Sequence, residues 1–268
     1  MSISVAAAPP RNKLRLNSRE LARWVSPAVL VLAWELGSRT GLIPDRVLAA
    51  PSSVALTFWS MTASGELPGN LLVSLLRAAA GLAVGVTVGS SLALVAGLSR
   101  RGEVAVDPPM QMLRTLPALA LSPLLIVWLG IGEAAKLALI AFATSFPIYL
   151  NLYNGVRGVE VKLVEAARTF GLSDLEVIHE IILPAALPSF LVGLRYALSV
   201  SVLILVAAEQ INAQAGLGYL INNARDFMRT DILVVCLLVY ALLGLAADFV
   251  VRNLERRALA WRPTLVKA

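Results

Sequence analysis

The sequence predicts an all-α integral membrane protein with about six transmembrane helices, because it is rich in apolar residues, poor in charge, and basic mainly at segment ends. Of its 268 residues, 58% are hydrophobic and 15% are charged, and the mean hydropathy is +0.77. Soluble domains average about 25% charged residues, so this much apolar surface requires lipid. The net charge of +6 comes from residues clustered at span ends and in the tails. That placement suits contact with lipid headgroups and argues against a nucleic-acid-binding protein.

Six apolar segments approach the length of about 20 residues that a helix needs to cross the hydrocarbon core. The second is rich in Ala, Gly and Val, and four of its glycines are spaced four or eight residues apart, which predicts close packing against another helix. Those glycines are Gly81, Gly85, Gly89 and Gly97. In chain order the segments are Trp24–Ser38, Leu71–Leu98, Met110–Leu129, Ala134–Tyr153, Ser189–Ile211 and Ile232–Val251.

The distribution of Lys and Arg predicts that both termini are cytoplasmic. In that orientation the inner segments, including loops at 99–107 and 154–188, hold fifteen of the 23 basic residues, and the outer segments hold five. One outer segment, Pro51–Gly69, suits a short interfacial helix. The predicted organisation is a cytoplasmic tail (1–23), a first span with an outer interfacial segment (24–70), a core (71–252) with a cytoplasmic hairpin (160–184), and a second cytoplasmic tail (253–268).

The most polar interruption in the apolar half of the chain is Glu165–Pro184, which predicts a helical hairpin in the cytoplasm. Val161–Phe170 is compatible with a helix, and Gly171 can end that helix by taking a positive φ. A hairpin with one apolar face either lies on the lipid headgroups or transmits a push from a partner to the span that follows it.

The second limb of the hairpin has its own start and stop signals. Ser173 and Glu176 fit a capping box that begins a short helix. Pro184 is expected to stop that helix, and Pro188 suits the first turn of the next span. The apolar face of this limb is predicted to consist of Leu175, Ile178, Ile181 and Ile182.

The spacing within the hairpin resembles the cytoplasmic loop signature of permeases in binding-protein-dependent ABC importers. That signature is Glu-Ala-Ala, three residues, Gly, nine residues, Ile, one residue and Leu-Pro, and this chain matches it throughout. The resemblance implies a type I ABC importer permease fold and assigns the matching residues to contact with an ATPase subunit. They are Glu165, Ala166, Ala167, Gly171, Ile181, Leu183 and Pro184.

Further segments look like the nitrate, sulfonate and taurine branch of this family, and within it the chain is most similar to aliphatic sulfonate permeases. Gln210 departs from the branch, because a small hydroxyl residue is expected there. Taurine, nitrate and thiamine-precursor-like ligands therefore stay open as alternatives. The matching segments are Leu116–Lys136, Phe146–Asn151, Gly193–Leu198, Gly216–Asp231, Tyr240–Asp248 and Leu254–Arg257.

The resemblance also implies a set of partners in the bacterial inner membrane. Two permease copies, as a homodimer, would pair around a central path, and each would dock its hairpin on one of two ATPase subunits. Those subunits would hold ATP and Mg²⁺, and an extracytoplasmic substrate-binding protein would deliver a small organic anion. This chain has no Gly-x-x-x-x-Gly-Lys-Ser/Thr phosphate loop, so we expect it to hold no cofactor of its own.

Ionisable residues within the spans are costly in lipid and mark paths, pairs or interfaces. Glu209, near the outer end of the fifth span, is a candidate for the translocation path, with an interhelical ion pair as the alternative. Arg114 is a second candidate, because a guanidinium matches sulfonate oxygens, and Gln210 is a third. Arg195 lies within reach of the inner surface, so we expect headgroup contact or coupling for it. We expect Arg77 to be structural.

Two other classes of function are disfavoured. An intramembrane enzyme would need acids, histidines or metal ligands clustered within the spans, and the sequence has one histidine, His179, and one cysteine, Cys236. A stand-alone channel or ion-coupled carrier is disfavoured by the hairpin and by the lack of an internal repeat. The sequence therefore predicts a non-catalytic permease subunit.

Overall fold

A computed structural model describes residues 18–211 and 213–259, with side chains from Val25 onward. Within that part of the chain every regular element is a helix. The elements are α1 (Ser18–Arg39), α2 (Pro51–Ala63), α3 (Glu66–Leu98), α4 (Arg100–Leu113), a 3-10 turn (Ala118–Leu121), α5 (Ser122–Leu129), α6 (Glu133–Arg157), α7 (Val161–Thr169), α8 (Asp174–Glu176), a π-helix (Val177–Ile182), α9 (Leu183–Gln210), α10 (Leu217–Asp226) and α11 (Thr230–Ala258).

Four helices in the described part of the chain are long and apolar enough to cross a membrane. They are α3, α6, α11 and the continuous helix Asp174–Gln210, which joins α8, the π-helix and α9. α6 lies between α3 and α9, and 56% of its most apolar stretch is buried, against 22–28% for the other three. α6 is therefore the centre of the bundle, and the other three helices keep broad apolar faces for lipid or for other subunits.

The predicted glycine face brings α3 and α6 into backbone contact. A Cβ atom added to any of the four glycines would come within 2.0–2.8 Å of an atom of α6, which is closer than van der Waals contact. The prediction of close packing is confirmed, because only glycine fits at these positions. The facing pairs are Gly81 with Ile140, Gly85 with Thr144, Gly89 with Ser145, and Gly97 with Val156.

Two apolar clusters form the core, one at each end of the bundle. The first includes Leu205, Leu217 and Tyr240 and joins α2, α3, α6, α9, α10 and α11. The second includes Ala93 and Tyr149 and joins α3, α4, α6 and the start of α9. We call the ends that they occupy the α10 end and the hairpin end.

The third predicted span, Met110–Leu129, is wrong as a single helix. α4 ends at Leu113, and a 3-10 turn at Ala118–Leu121 leads into α5, so that the two limbs differ in direction by 92°. Pro117 precedes the turn with an extended backbone (ψ 116°), which stops helical hydrogen bonding. Pro123 then lies in the first turn of α5, where proline favours a new helix start.

The predicted inner loop at 99–107 is also wrong, because α4 occupies nearly all of it. The Ser99 side-chain oxygen caps this helix by accepting a hydrogen bond from the Gly102 N–H at 2.9 Å. Two acids of α4 then bind α6 at the hairpin end. Glu103 accepts from the Tyr153 hydroxyl (2.8 Å) and the Arg157 guanidinium (2.7 Å), and Asp107 accepts from the Tyr149 hydroxyl (2.9 Å).

The first predicted span, Trp24–Ser38, lies within α1, which does not qualify as a span among the described residues. The sequence between Arg23 and Glu35 supplies only about 16 Å of apolar helix, roughly half of the hydrocarbon thickness. Glu35 accepts hydrogen bonds from the N–H (3.0 Å) and hydroxyl (2.8 Å) of Ser52 and from Arg39 (2.6 Å). The described residues give four spans, or five if α4 and α5 form one broken span. Six spans and cytoplasmic termini stay predictions.

Other predicted boundaries shift by a few residues. The predicted interfacial segment Pro51–Gly69 does contain a helix, α2, and Gly65 (φ 79°) then turns the chain into α3, which begins before the predicted Leu71. α11 continues to Ala258, into the predicted tail 253–268. Positions 1–17 and 260–268 of the predicted tails lie outside the described residues.

Candidate functional site

The hairpin begins with α7 (Val161–Thr169), and Gly171 closes the turn that terminates this helix, as predicted. The Leu172 N–H donates to the Ala167 carbonyl (3.2 Å) and the Gly171 N–H donates to the Arg168 carbonyl (2.9 Å), which together form a Schellman motif. Gly171 has a φ of 88°, and no atom lies within 4 Å of where its Cβ would be. Gly171 is therefore required by the turn, and the surface beside it is open.

The second limb of the hairpin begins with the predicted capping box. The Ser173 hydroxyl oxygen accepts from the Glu176 N–H (3.5 Å), and the Glu176 carboxylate accepts from the Ser173 N–H (2.7 Å). An ion pair between Arg168 and Asp174 (2.9 Å) crosses the turn, although both side chains are exposed. The box and the Schellman motif together fix the angle between the two limbs.

Pro184 does not end the second limb, contrary to prediction. The chain passes through the π-helix Val177–Ile182 directly into α9, and Pro188 lies inside α9 rather than in its first turn. A proline ring normally clashes with the carbonyl four residues earlier. Here that carbonyl belongs to the wider π turn, in which the Leu183 N–H donates to Ile178, five residues back. The second limb of the hairpin and the following span are therefore one continuous helix.

The π-helix also changes which residues of the second limb face the core. Val177 is buried and Ile182 packs against the apolar cluster of the hairpin end, five residues apart as a π turn requires. Leu175, predicted on this face, is instead 79% exposed. Phe170, at the end of the first limb, is 85% exposed. Phe170 and Leu175 thus leave apolar surface on the hairpin that either a partner or the lipid headgroups would cover.

Most of the signature residues are accessible. Among them only Ala167 is buried, since it lies on the inner face of α7. Ile181 and Leu183 are half-buried where the π-helix meets α9. The exposed members are Glu165, Ala166, Gly171 and Pro184.

The three predicted path residues do not line one surface. Glu209 is completely buried near the end of α9, whereas Gln210 beside it and Arg114 at the bend after α4 are exposed. The two carboxylate oxygens of Glu209 accept four hydrogen bonds from other helices. The interhelical alternative for Glu209 therefore describes its contacts in this structure, in which its side chain is 0% exposed.

Glu209 belongs to an ion cluster with Arg77, Lys136 and Glu133, in which the first three side chains are buried and that of Glu133 is 59% exposed. Arg77 donates from Nε and Nη2 to Glu133 (2.6 and 2.7 Å) and from Nη1 to Glu209, with its side chain only 2% exposed. Lys136 donates to Glu133 at 3.2 Å. Arg77 is thus structural, as expected, but Glu133 and Lys136 were not predicted. An arginine inside a span requires acidic partners, and this requirement could have indicated Glu133.

Arg195 forms an ion pair with Glu255 of α11. Both side chains are partly exposed, and the pair ties α9 to α11. Its guanidinium is therefore held by protein in this structure, in addition to any contact with lipid headgroups.

The sequence pattern of the family described as "Binding-protein-dependent transport system inner membrane component" matches residues 85–259, which include the whole hairpin. The chain belongs to this family. It is a non-catalytic ABC transporter permease and a multi-pass protein of the bacterial inner membrane. The signature in the hairpin, which first suggested the family, lies within the matched residues.

Two relatives of this permease are named for aliphatic sulfonates, and a third is named for taurine. SsuC of Escherichia coli (strain K12), named as an aliphatic sulfonates transport permease protein, is 46% identical over 243 residues, covering 91% of this chain and 92% of its own. SsuC of Bacillus subtilis (strain 168) is 42% identical over 236 residues, covering 88% and 86%. The taurine transport system permease protein TauC of Escherichia coli (strain K12) is 33% identical over 239 residues, covering 87% of each.

Solved structures share the fold of this permease at low sequence identity. A chain of an amino acid ABC transporter superposes with a TM-score of 0.60 at 18% identity, covering 75% of this permease and 98% of that chain. A chain of the inward-facing MetNI methionine ABC transporter gives 0.52 at 19% identity, covering 67% and 92%. The permease therefore has the type I ABC importer permease fold.

Proposed function

We propose that this chain is the membrane-spanning subunit of an ATP-driven importer that moves an aliphatic sulfonate into the cytoplasm. The hairpin is the observation that supports coupling to ATP hydrolysis. Its signature residues are mostly exposed, and its second limb continues without a break into α9. A partner that moves this hairpin therefore moves a helix long enough to cross the membrane.

The proposed complex contains two copies of this permease as a homodimer, two ABC ATPase subunits and an extracytoplasmic substrate-binding protein. ATP and Mg²⁺ lie on the ATPase subunits, each of which receives one hairpin. When ATP closes the ATPase pair, the two hairpins move, the attached α9 helices follow, and the path between the permeases opens to the binding protein. ATP hydrolysis then resets the complex.

Sequence similarity supports a sulfonate as the cargo. The two relatives named for aliphatic sulfonates are 46% and 42% identical to this chain, against 33% for the one named for taurine. Arg114 and Gln210 stay in the proposal as path residues. Arg114 is exposed beside the break between α4 and α5, and broken helices in membranes occur where the backbone lines protein or a water-filled cavity. Its guanidinium matches sulfonate oxygens there.

Uptake by reconstituted proteoliposomes tests the cargo. The permease, the ATPase and the binding protein from the same organism are assembled with ATP on the ATPase side, and uptake of radiolabelled ethanesulfonate is followed. We expect ATP-dependent uptake that unlabelled alkanesulfonates inhibit more strongly than taurine or nitrate does. Stronger inhibition by taurine or nitrate would assign one of those anions instead. Uptake that continues without the ATPase subunits would mean a stand-alone carrier.

The same vesicles test the hairpin. Replacing Glu165 and Gly171 together with Trp should abolish uptake and ATPase stimulation by the binding protein, because both residues lie on the accessible surface of the hairpin. Val104→Trp, at an exposed position of α4, is the matched control and should leave both activities intact. Turnover that persists in the hairpin variant would contradict the proposed role of the hairpin.

A further inference from the structure

The end of α9 opposite the hairpin is fastened to three other helices through one carboxylate. Glu209 accepts from the Ser74 hydroxyl of α3 (2.7 Å), the Tyr240 hydroxyl of α11 (2.7 Å) and the Gly218 N–H of α10 (2.9 Å). It also accepts from the Arg77 guanidinium of α3. Both oxygens are therefore saturated by protein groups in a fully buried site, which is how a charge inside a membrane protein is tolerated.

Arg77 extends this attachment to α6. Its guanidinium binds Glu133, at the start of α6, through two donors, and Glu209, at the end of α9, through a third. Lys136 pairs with Glu133, so the ion cluster contains two cations and two anions. A planar arginine with donors on two edges is suited to hold two carboxylates from different helices in fixed positions.

The loop that begins α10 packs tightly against the Glu209 side of the ion cluster. The Gly216 N–H donates to the Asn70 side-chain oxygen and the Leu217 N–H to the Ser74 hydroxyl, each at 2.8 Å. A Cβ on Gly216 would lie 2.6 Å from a carboxylate oxygen of Glu209, and one on Gly218 would lie 2.3 Å from the Cβ of Glu209. The start of α10 is therefore packed directly against the end of α9, with no space between them for a side chain at Gly216 or Gly218.

The second limb of the hairpin and Glu209 lie on the same continuous helix, Asp174–Gln210. At 1.5 Å per residue the distance along that helix from Asp174 to Glu209 is about 52 Å. A displacement applied at the hairpin thus acts on a helix whose far end is bound to α3, α6, α10 and α11.

We propose that Glu209 and Arg77 are positioning residues of the transport cycle, which make the α10 end of the bundle follow the movement of the hairpin. This inference rests on the proposed function and deepens it. Without the cluster, α9 would move while α10 stayed behind, and ATP hydrolysis would proceed with little transport. Direct cargo binding by the cluster is disfavoured, because protein groups already occupy the Glu209 oxygens and both edges of Arg77.

The test uses the reconstituted full complex and compares Glu209→Gln with Leu203→Ala, at an exposed position of the same helix α9. We expect the ratio of ethanesulfonate taken up to ATP hydrolysed to fall roughly tenfold in Glu209→Gln, a typical size for energetic coupling between sites, and to stay unchanged in Leu203→Ala. A fall in uptake and ATPase activity by the same factor, or a changed KM with an unchanged ratio, would overturn the inference.

A second variant keeps the test decisive if Glu209→Gln fails to assemble. Tyr240→Phe removes one hydrogen bond from Glu209 and leaves the ion cluster electrically balanced. We expect a smaller fall in the same ratio with normal assembly. A ratio equal to that of the wild-type complex would overturn the inference.

Hydrogen exchange separates this inference from the proposed function, because it requires nucleotide but no cargo. ATP binding should change the protection of amides in both the hairpin and α10 of the wild-type complex, and in Glu209→Gln only the change in the hairpin should remain. If the wild-type hairpin does not respond to ATP, the proposed function fails. If α10 still responds in Glu209→Gln, the inference about the cluster fails.

Discussion

Gly85→Ala should separate the two most intimately packed helices of the bundle. The added Cβ would lie 2.0 Å from the Thr144 hydroxyl oxygen and 2.7 Å from the Ala141 carbonyl oxygen of α6. The hydroxyl can rotate away, although it would give up its hydrogen bond to Ile140 (2.8 Å). The carbonyl belongs to the backbone of α6 and moves only with the helix, so it sets the cost of the substitution.

The magnitude follows from that carbonyl. Ordinary van der Waals contact begins at 3.4 Å, so α3 and α6 must move apart locally by 3.4 − 2.7 = 0.7 Å. Overpacking of this kind costs about 1–3 kcal/mol. In a chain of this size each kcal/mol corresponds to a fall in Tm of roughly 2–4 °C.

Thermal unfolding of the purified permease in detergent is the assay, with Gly69→Ala on the same helix as the control. Gly69 is exposed, and no atom lies within 4 Å of where its Cβ would be, so its substitution should change the stability by no more than about 0.5 kcal/mol. Equal melting temperatures for the two variants would refute the backbone contact between α3 and α6.

Three further substitutions probe the hairpin. Ser173→Ala removes the capping box and should destabilise the second limb by about 1 kcal/mol, seen as faster amide exchange in residues 174–177; unchanged exchange would contradict the cap. The Cβ added by Gly171→Ala meets no neighbour, but the alanine must adopt a positive φ, so we expect the hairpin to be destabilised by roughly 1–2 kcal/mol, measured by the same amide exchange. Unchanged exchange would mean that the turn tolerates Ala. Leu175→Asp should leave the Tm unchanged, because Leu175 is exposed, yet weaken co-purification of the ATPase; full co-purification would exclude Leu175 from the contact surface.

Rules that relate residues a few positions apart, such as helical spacing, turns and caps, predicted the features that depend on neighbouring residues. The glycines of α3 recur at helical intervals, which places them on one face whatever lies opposite, and α6 does lie against them. Gly171 and the Ser173–Glu176 pair define a turn through backbone chemistry alone, and both behave as expected. The signature in the hairpin also predicted the family correctly.

The errors occur where local rules compete with neighbouring structure. Pro184 reads as a helix stop, but a π turn relieves the clash of its ring, and a spacing rule based on 3.6 residues per turn cannot show such a turn. The segment 110–129 has the hydropathy of one span, yet Pro117 divides it. The ion cluster joins residues 56 and 132 positions apart in the chain, and no periodicity of the sequence encodes such pairs.

Site-specific cross-linking from the hairpin is the most direct test of the claim that an ATPase subunit drives this permease through Glu165–Pro184. Cys236 is the single cysteine of the sequence and is buried, so a thiol reagent would act at the cysteine introduced by Leu175→Cys. Leu242→Cys, at an exposed apolar position of α11, provides the control. We expect Leu175→Cys to cross-link to the ATPase subunit with a yield that differs between ATP and ADP, and Leu242→Cys to give no cross-link to that subunit. Equal cross-linking from both positions, or none from the hairpin in an assembled complex, would contradict it.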